Sequence, residues 1–161
     1  MPTIHIQLTG EAQLASGQKI QLPPVQALQQ RGPILNVAVG LERSMSAGLL
    51  ASGNQVPIPV ATVALIDTGA SNTCVDNDLA VQLGLPVVDT MKMTSASHHE
   101  VEQPAYPISI EIIGTQIQFS VPKAMGAQLA AQGLGLLIGR DVLAAFTMFY
   151  NGPTGQITLS I

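Results

Sequence analysis

The chain has 161 residues, of which 47% are hydrophobic, 10% charged and 3% aromatic, with a formal net charge of −4. That length suits one domain, or one domain with an extension, and is enough to bury a real core. Its scattered basic residues mark no nucleic-acid face, and no window offers the ~18 uninterrupted apolar residues that a membrane-spanning helix needs. Residues 1–9 have neither a basic n-region nor an apolar h-region, and Cys74 has no second cysteine to pair with. The expectation is a protein without a secretory leader in a reducing, cytoplasmic setting.

In chain order, Ile4, Ile6 and Leu8 predict one strand and Ile20 and Leu22 another, before Pro23-Pro24 and Arg31-Gly32-Pro33 punctuate the chain. Residues 1–34 therefore read as an N-terminal extension, a hairpin plus linker, and residues 35–161 as the main domain. Leu35, Val37 and Val39 alternate with Asn36 and Ala38, as a half-buried strand requires. Residues 60–66 are almost continuously apolar, the pattern of a strand covered on both faces. Asp76 is placed to cap a short helix with Leu79 and Leu83 one turn apart, closed by Gly84 and Pro86. Residues 108–121 read as a hairpin: Ile108, Ile110 and Ile112, then Gly114, then Ile117, Phe119 and Val121. A helical turn is read at 123–132, weakened by Gly126. Val142, Ala145, Phe146 and Phe149 share one face of a second helix over 141–150. Asn151-Gly152-Pro153 turns the chain into a closing strand marked by Ile157, Leu159 and Ile161. The whole is an all-β protein with one or two short helices and no internal repeat, since Asp89-Thr90 is followed by Met91.

The chemistry concentrates where the apolar run Ala64-Leu65-Ile66 meets Asp67-Thr68-Gly69-Ala70-Ser71. An ionisable group at the end of a buried strand is costly unless something holds it. As plain structure it is a capped turn, with Asp67 accepting backbone hydrogen bonds and Gly69 supplying a positive φ. A second apolar run ending in glycine, Leu136-Leu137-Ile138-Gly139-Arg140-Asp141, lies far downstream.

Together these two segments resemble the retropepsin family, the single-domain aspartic proteases of retroviral type and their cellular and bacterial relatives. The resemblance spans roughly residues 34–161 and implies a retropepsin-like acid protease barrel. It implies that Asp67, Thr68 and Gly69 form the catalytic loop, and that Ala70, Ser71, Met91, Met93, Ser95, Ala96 and Ser97 contact substrate. Ile138, Gly139, Arg140 and Asp141 are implied as structural support beneath that loop, and the segment 88–103 as a flap over bound peptide. Apolar lining from Val87, Val88 and Met91 is expected to favour hydrophobic side chains beside the cleaved bond. Peptide hydrolysis of this kind uses two carboxylates sharing a proton, and this chain has one Asp-Thr-Gly. The resemblance thus implies a homodimer in which the two Asp67 carboxylates meet at the two-fold axis. The Thr68 hydroxyls would reach the opposite loop, Gly69 would bond substrate main chain, and strand 156–161 would enter an intersubunit sheet.

Two departures stand out. Residues 90–103 contain no glycine, whereas viral flaps are glycine-rich at the tip. Ser71 stands where many viral members carry an acidic partner for the later arginine, leaving Arg140 to find Asp76, Asp78 or a backbone carbonyl. Ser71 also resembles the pepsin-like branch and several cellular members.

The reading is an aspartic endopeptidase acting on extended polypeptide, with itself as partner and with no metal, cofactor, nucleic acid or membrane. The alternative is a catalytically weak retropepsin-like dimerisation or peptide-binding module. An unrelated β-barrel enzyme would leave Ile138-Gly139-Arg140-Asp141 unexplained. His98-His99 are adjacent, so on a strand they point to opposite faces and chelate poorly. Cys74 lacks a base nearby in sequence and reads as a small core residue. After Gly133-Leu134-Gly135 the third glycine of a dinucleotide loop is misplaced, and no helix-opening pattern follows immediately.

Overall fold

Apolar residues at every second position bury one face of a strand, and a chain built mostly of such strands lowers its free energy by closing the sheet on itself. The structure, a computed structural model, describes residues 2–13, 15–95 and 98–161. Its elements begin with β1 (Thr3–Gln7), β2 (Gly10–Gln13), β3 (Lys19–Leu22), α1 (Pro24–Arg31), β4 (Ile34–Leu41), α2 (Arg43–Ala51), β5 (Val60–Ile66) and β6 (Cys74–Asp76). They continue with α3 (Asn77–Gln82), β7 (Asp89–Ser95), β8 (His98–Ile112), β9 (Gln118–Ala127), β10 (Leu136–Ile138), α4 (Arg140–Leu143), β11 (Thr147–Asn151) and β12 (Gln156–Ser160).

Six strands run β4-β5-β10-β6-β9-β8, and a further pairing of β8 with β4 closes them into a barrel. Two pairings are parallel, β10 with β5 and β6 with β9; the rest are antiparallel. Val37, Val39, Ala64, Val75, Ile108, Ile110 and Leu136 fill the interior and are completely buried. β8 is long enough to serve two structures. Residues from Ile108 to Ile112 pair with β4 in the barrel, while residues from His98 to Ala105 pair with β7 as a hairpin projecting from it.

A separate three-stranded sheet, β1-β12-β11, gathers both ends of the chain, and β2 and β3 form a small hairpin of their own. β12 is the central strand of its sheet, so both of its edges are bonded within the chain. A strand in that position has no free edge to offer a second copy, which corrects the expectation for 156–161. Within this sheet, only β1 and β11 keep an edge from which a sheet between copies could extend.

The expected strands, the hairpin at 108–121 and the Asp76-capped helix are all present, but the strand at Ile4 and Ile6 pairs with β12 while Ile20 and Leu22 pair with β2, so the hairpin expected between those two segments does not form. The helix expected over 141–150 is not: α4 stops at Leu143, and Thr147–Asn151 form β11. The β-branched and aromatic residues Thr147, Phe149 and Tyr150 find a full ladder with β12, and that pairing outweighs the helical spacing. At 123–132, β9 continues through Ala127 and only Ala130–Gln132 make a single 3-10 turn. β5 is less covered than its sequence predicts, with Ala61 exposed while Ala64 and Ile66 are buried. Two helices, α1 and α2, occupy segments read as linker or left unassigned. Among the described residues no helix is long and apolar enough to cross a membrane.

Leu136, the first residue of β10, is wholly buried between Ala64 of β5 and Val75 of β6. Leu136→Ala is expected to lower the unfolding free energy by about 2–5 kcal/mol, the range for a truncated core leucine, seen as a reduced urea midpoint with an unchanged slope.

Candidate active site

β5 ends at Ile66, directly opposite Ile138 of the parallel strand β10. The Asp67 N–H donates to the Ile138 carbonyl (2.9 Å), the last rung before the chain leaves the barrel. It returns at β6, whose Cys74 pairs with Leu137 on the other side of β10. A three-residue strand is thus held between the two strands that flank the loop 67–73. Asp67 is half-buried, while Thr68, Gly69 and Ser71 are exposed.

Inside the loop, the Gly69 N–H donates to Asp67 Oδ1 (2.8 Å) and the Ala70 N–H to the Asp67 carbonyl (3.3 Å). Gly69 does not have a positive φ, contrary to the capped-turn expectation. Its role is close approach, since a Cβ there would sit 3.0 Å from Asp67 Oδ1. One carboxylate oxygen is therefore fixed by a backbone donor, which sets the plane in which the second oxygen is presented.

The loop is clasped from below by the residues that follow β10. Thr73 is fully buried, and its hydroxyl donates to Asp141 Oδ1 (2.8 Å) while accepting from the Gly139 N–H (3.1 Å). The Thr73 N–H donates to Asp141 Oδ2 (2.9 Å), and the Arg140 and Asp141 N–H groups donate to the Ala70 and Ser71 carbonyls. Gly139 packs against this backbone so closely that a Cβ would lie 2.5 Å from the Asn72 carbonyl carbon. Arg140 donates through Nη1 to the Thr68 and Gly69 carbonyls (3.0 Å each) and through Nη2 to Ser71 Oγ (2.8 Å). Of the three partners expected for Arg140, the backbone carbonyls are the ones it uses, and the Ser71 hydroxyl occupies the place of an acidic partner.

The other four aspartates sit elsewhere. Asp141 is in the clasp, Asp89 on β7 pairs with Lys123 (2.7 Å), and Asp78 is exposed on α3. Asp76 is buried, accepting the Asp78 and Leu79 N–H groups at one oxygen and the Leu129 and Ala130 N–H groups at the other. Burial pushes its carboxyl up, but those four backbone donors outweigh it and hold it below the ordinary carboxylate range. Cys74 is buried, and burial, with the negative charges of Asp141 and Asp67 behind it, pushes its thiol up to about 11. It is a neutral thiol in a wall rather than a nucleophile.

The hairpin β7–β8 stands where the flap is expected, with Met91 opposite Gln103 and a register shift between Met93 and Ser95. Met91 packs against Cys74, Met125 and Leu129, together with Leu134 and Leu137, which ties the base of the hairpin to the floor beside the loop. Ala96 and Ser97 lie outside the described residues, as do the side chains of residues 93–100, and with them the expectations for Met93, Ser95, His98 and His99. Val87 and Val88 are exposed and do not line the cavity next to Cys74. Val101, Leu129 and Leu137 provide apolar lining there instead. Sequence reasoning missed Thr73 and the second function of Asp76, because each bonds to a partner 50 or more residues away in sequence.

A barrel whose strand pair delivers Asp-Thr-Gly onto a loop braced by Gly-Arg-Asp, with a hairpin projecting beside it, defines a retropepsin-like fold. The Aspartyl protease family matches residues 51–142, more than half of the chain, and the chain belongs to that family. No curated protein matches the sequence. Among solved structures it is similar to a retropepsin-like aspartic protease from Rickettsia conorii, at 17% identity over 98% of this chain and 92% of that one, with a TM-score of 0.45. It is also similar to the retroviral protease-like domain of Ddi1 from Leishmania major, at 19% identity over 73% and 81%, with a TM-score of 0.39.

Thr73→Val keeps the shape of the clasp but leaves the Gly139 N–H unpaired and Asp141 one donor short. A loss of about 1–3 kcal/mol is expected, the cost of a buried polar group without its partner, measurable by urea denaturation. Asp76 generates a pH effect of known sign. Its pKa is lower folded than unfolded, so its stabilisation is complete above the unfolded value of about 4 and disappears as pH falls through the folded value. The difference in urea midpoint between wild type and Asp76→Asn should therefore be largest near pH 7 and shrink progressively below about pH 4.

Proposed function

We propose that this chain is an aspartic endopeptidase whose catalytic unit is a homodimer, built by residues 35–161 with 1–34 as an extension. Asp67 from each copy forms the dyad, Thr68 and Gly69 shape the loop around it, and Ala70, Ser71 and the β7–β8 hairpin contact an extended polypeptide. The observation that carries this reading is the presentation of Asp67. Its backbone is locked to β10, one oxygen is fixed by Gly69, and no other carboxylate of the chain is bonded beside it among the described residues. The reading retains the cytoplasmic location expected from the single cysteine.

In this mechanism the two carboxylates share one proton, because like charges ~3 Å apart do not both ionise. The ionised member takes a proton from water as its oxygen attacks the peptide carbonyl, and the protonated member gives its proton to the carbonyl oxygen. Collapse of the tetrahedral intermediate breaks the C–N bond: the carboxyl that took a proton from water gives it to the leaving nitrogen, and the other carboxylate takes a proton from a hydroxyl of the gem-diol, which restores the singly protonated pair. The braced loop keeps the carboxylates in place through these steps, so little reorganisation is needed at the moment of reaction. The dimer has free strand edges at β1 and β11, and β11 carries Phe149 (63% exposed) and Tyr150 (49% exposed), apolar surface suited to burial between copies.

Purified full-length protein is expected to cleave an unfolded protein substrate between pH 4 and 7, to be blocked by a statine-type inhibitor, and to sediment as a dimer at micromolar concentration. Asp67→Asn should abolish cleavage, a loss of at least about 10³-fold, while sedimenting and melting like wild type. A wild type with no cleavage beyond that of the variant turns the reading to the peptide-binding module. A chain that stays monomeric while cleaving removes the shared dyad.

A further inference from the structure

A cavity of about 470 Å³ opens beside the loop, with Cys74, Leu129 and Leu137 as apolar wall and Asn77, Gln103 and Gln128 as its polar members. Its position follows from register. Leu137 lies between Leu65, two residues before Asp67, and Cys74, seven residues after it. Gln103 comes from the projecting half of β8, opposite Met91. The cavity is thus floored by the strands that frame the candidate loop and bounded by the hairpin beside it. Its far wall is firm, because the two oxygens of Asp76 hold the Leu129 and Ala130 N–H groups to the start of α3.

Three of the lining residues carry primary amides, and no charged residue lines the cavity among those described. A primary amide both donates and accepts in one plane. Asn77 adds an independent sign: its Oδ1 is buried with no hydrogen-bond partner among the described residues. Buried acceptors are ordinarily satisfied, so an orphan at a cavity wall marks a missing donor. That oxygen is enclosed beside Gly126, which has no Cβ to displace it, so a half-turn of the Asn77 amide is required to present it to an occupant.

We infer that this cavity is a specificity pocket for one substrate side chain, and that the side chain it prefers is a carboxamide, glutamine or asparagine. The inference rests on the reading that a polypeptide occupies the cleft beside Asp67. A glutamine places its methylenes along Cys74, Leu129 and Leu137, its NH₂ toward Asn77 Oδ1, and its carbonyl toward the Gln103 and Gln128 amides. Leucine fits the apolar wall but leaves the three amides unmatched. Glutamate or lysine brings a charge to a lining that has no opposite charge, where desolvation opposes entry.

The test is a binding measurement that does not depend on turnover. Full-length Asp67→Asn protein is titrated, by fluorescence anisotropy, with labelled alanine-based octapeptides carrying Gln, Leu, Glu or Lys at each position in turn. At one position Gln is expected to bind about tenfold tighter than Leu, the scale of one to two matched hydrogen bonds, and tighter still than Glu or Lys. In the same protein carrying Gln103→Leu and Gln128→Leu, the order of Gln and Leu at that position should reverse, with the melting temperature and circular dichroism unchanged. Equal binding of all four peptides at every position, a preference for Leu over Gln before the change, or an order that survives it overturns the pocket. Wild-type cleavage of the best-bound peptide reports on catalysis separately. If that peptide binds with the expected order but is not cleaved, the endopeptidase reading fails and the pocket stands.

Discussion

The geometry of this protein turns on the clasp between Thr73 and the Gly139-Arg140-Asp141 segment. A loop that carries a carboxylate out of a barrel is long and exposed, and left alone it would sample many conformations. Here its backbone carbonyls are taken up by the start of α4 and by the Arg140 guanidinium, and its return is fixed by the buried Thr73 hydroxyl. The residue types follow from the contacts. Gly139 is needed because any side chain would overlap Asn72. Asp141 is needed because a single carboxylate accepts both the N–H and the hydroxyl of Thr73. Arginine at 140 is needed because its planar fork reaches two carbonyls and a hydroxyl at once.

The barrel makes this clasp possible by placing a parallel strand between the two strands that flank the loop. β10 has three residues, too few for stability of its own, yet β5 and β6 bond it on both sides. Everything that grips the loop follows within three residues of its end. The same economy governs β8, one strand whose barrel half is rigid in the core and whose outer half carries the hairpin beside the site. Met91 then anchors that hairpin on the Cys74–Met125–Leu129 cluster. Contact between hairpin and floor is apolar and broad, whereas the Asp89–Lys123 pair at the same base is exposed and screened by water.

Legibility in the sequence followed the range of the forces involved. Strands whose alternation reflects a buried face, such as Leu35-Val37-Val39 and Ile108-Ile110-Ile112, could be read because burial acts on each residue separately. The Asp76 cap could be read because its donors lie two and three residues on; its grip on Leu129 and Ala130 could not, being a bond between distant backbone groups. β11 was misread because its apolar spacing suits a helix, and only the presence of β12 decides for a strand. α1 did leave a signal, Pro24 at the first helical position and Gly32 just past the end, which the surrounding prolines obscured.

The single Asp67 joins these levels. Within one chain, the clasp fixes where that carboxylate stands but supplies no second one, and the fold uses three of its four other aspartates for structure: Asp76 as a backbone anchor, Asp141 as part of the clasp, Asp89 as an exposed ion-pair partner. In the proposed dimer, a braced loop has a purpose that a monomer does not need. Two carboxylates from different copies can share a proton only if each is placed to within a few tenths of an ångström by its own chain, because the interface between copies has no covalent means of correcting an error. A loosely held loop could still dimerise, but its two acids would titrate independently. In the proposed dimer, the hydrogen bonds beneath Asp67 would therefore bear on proton chemistry as much as on stability.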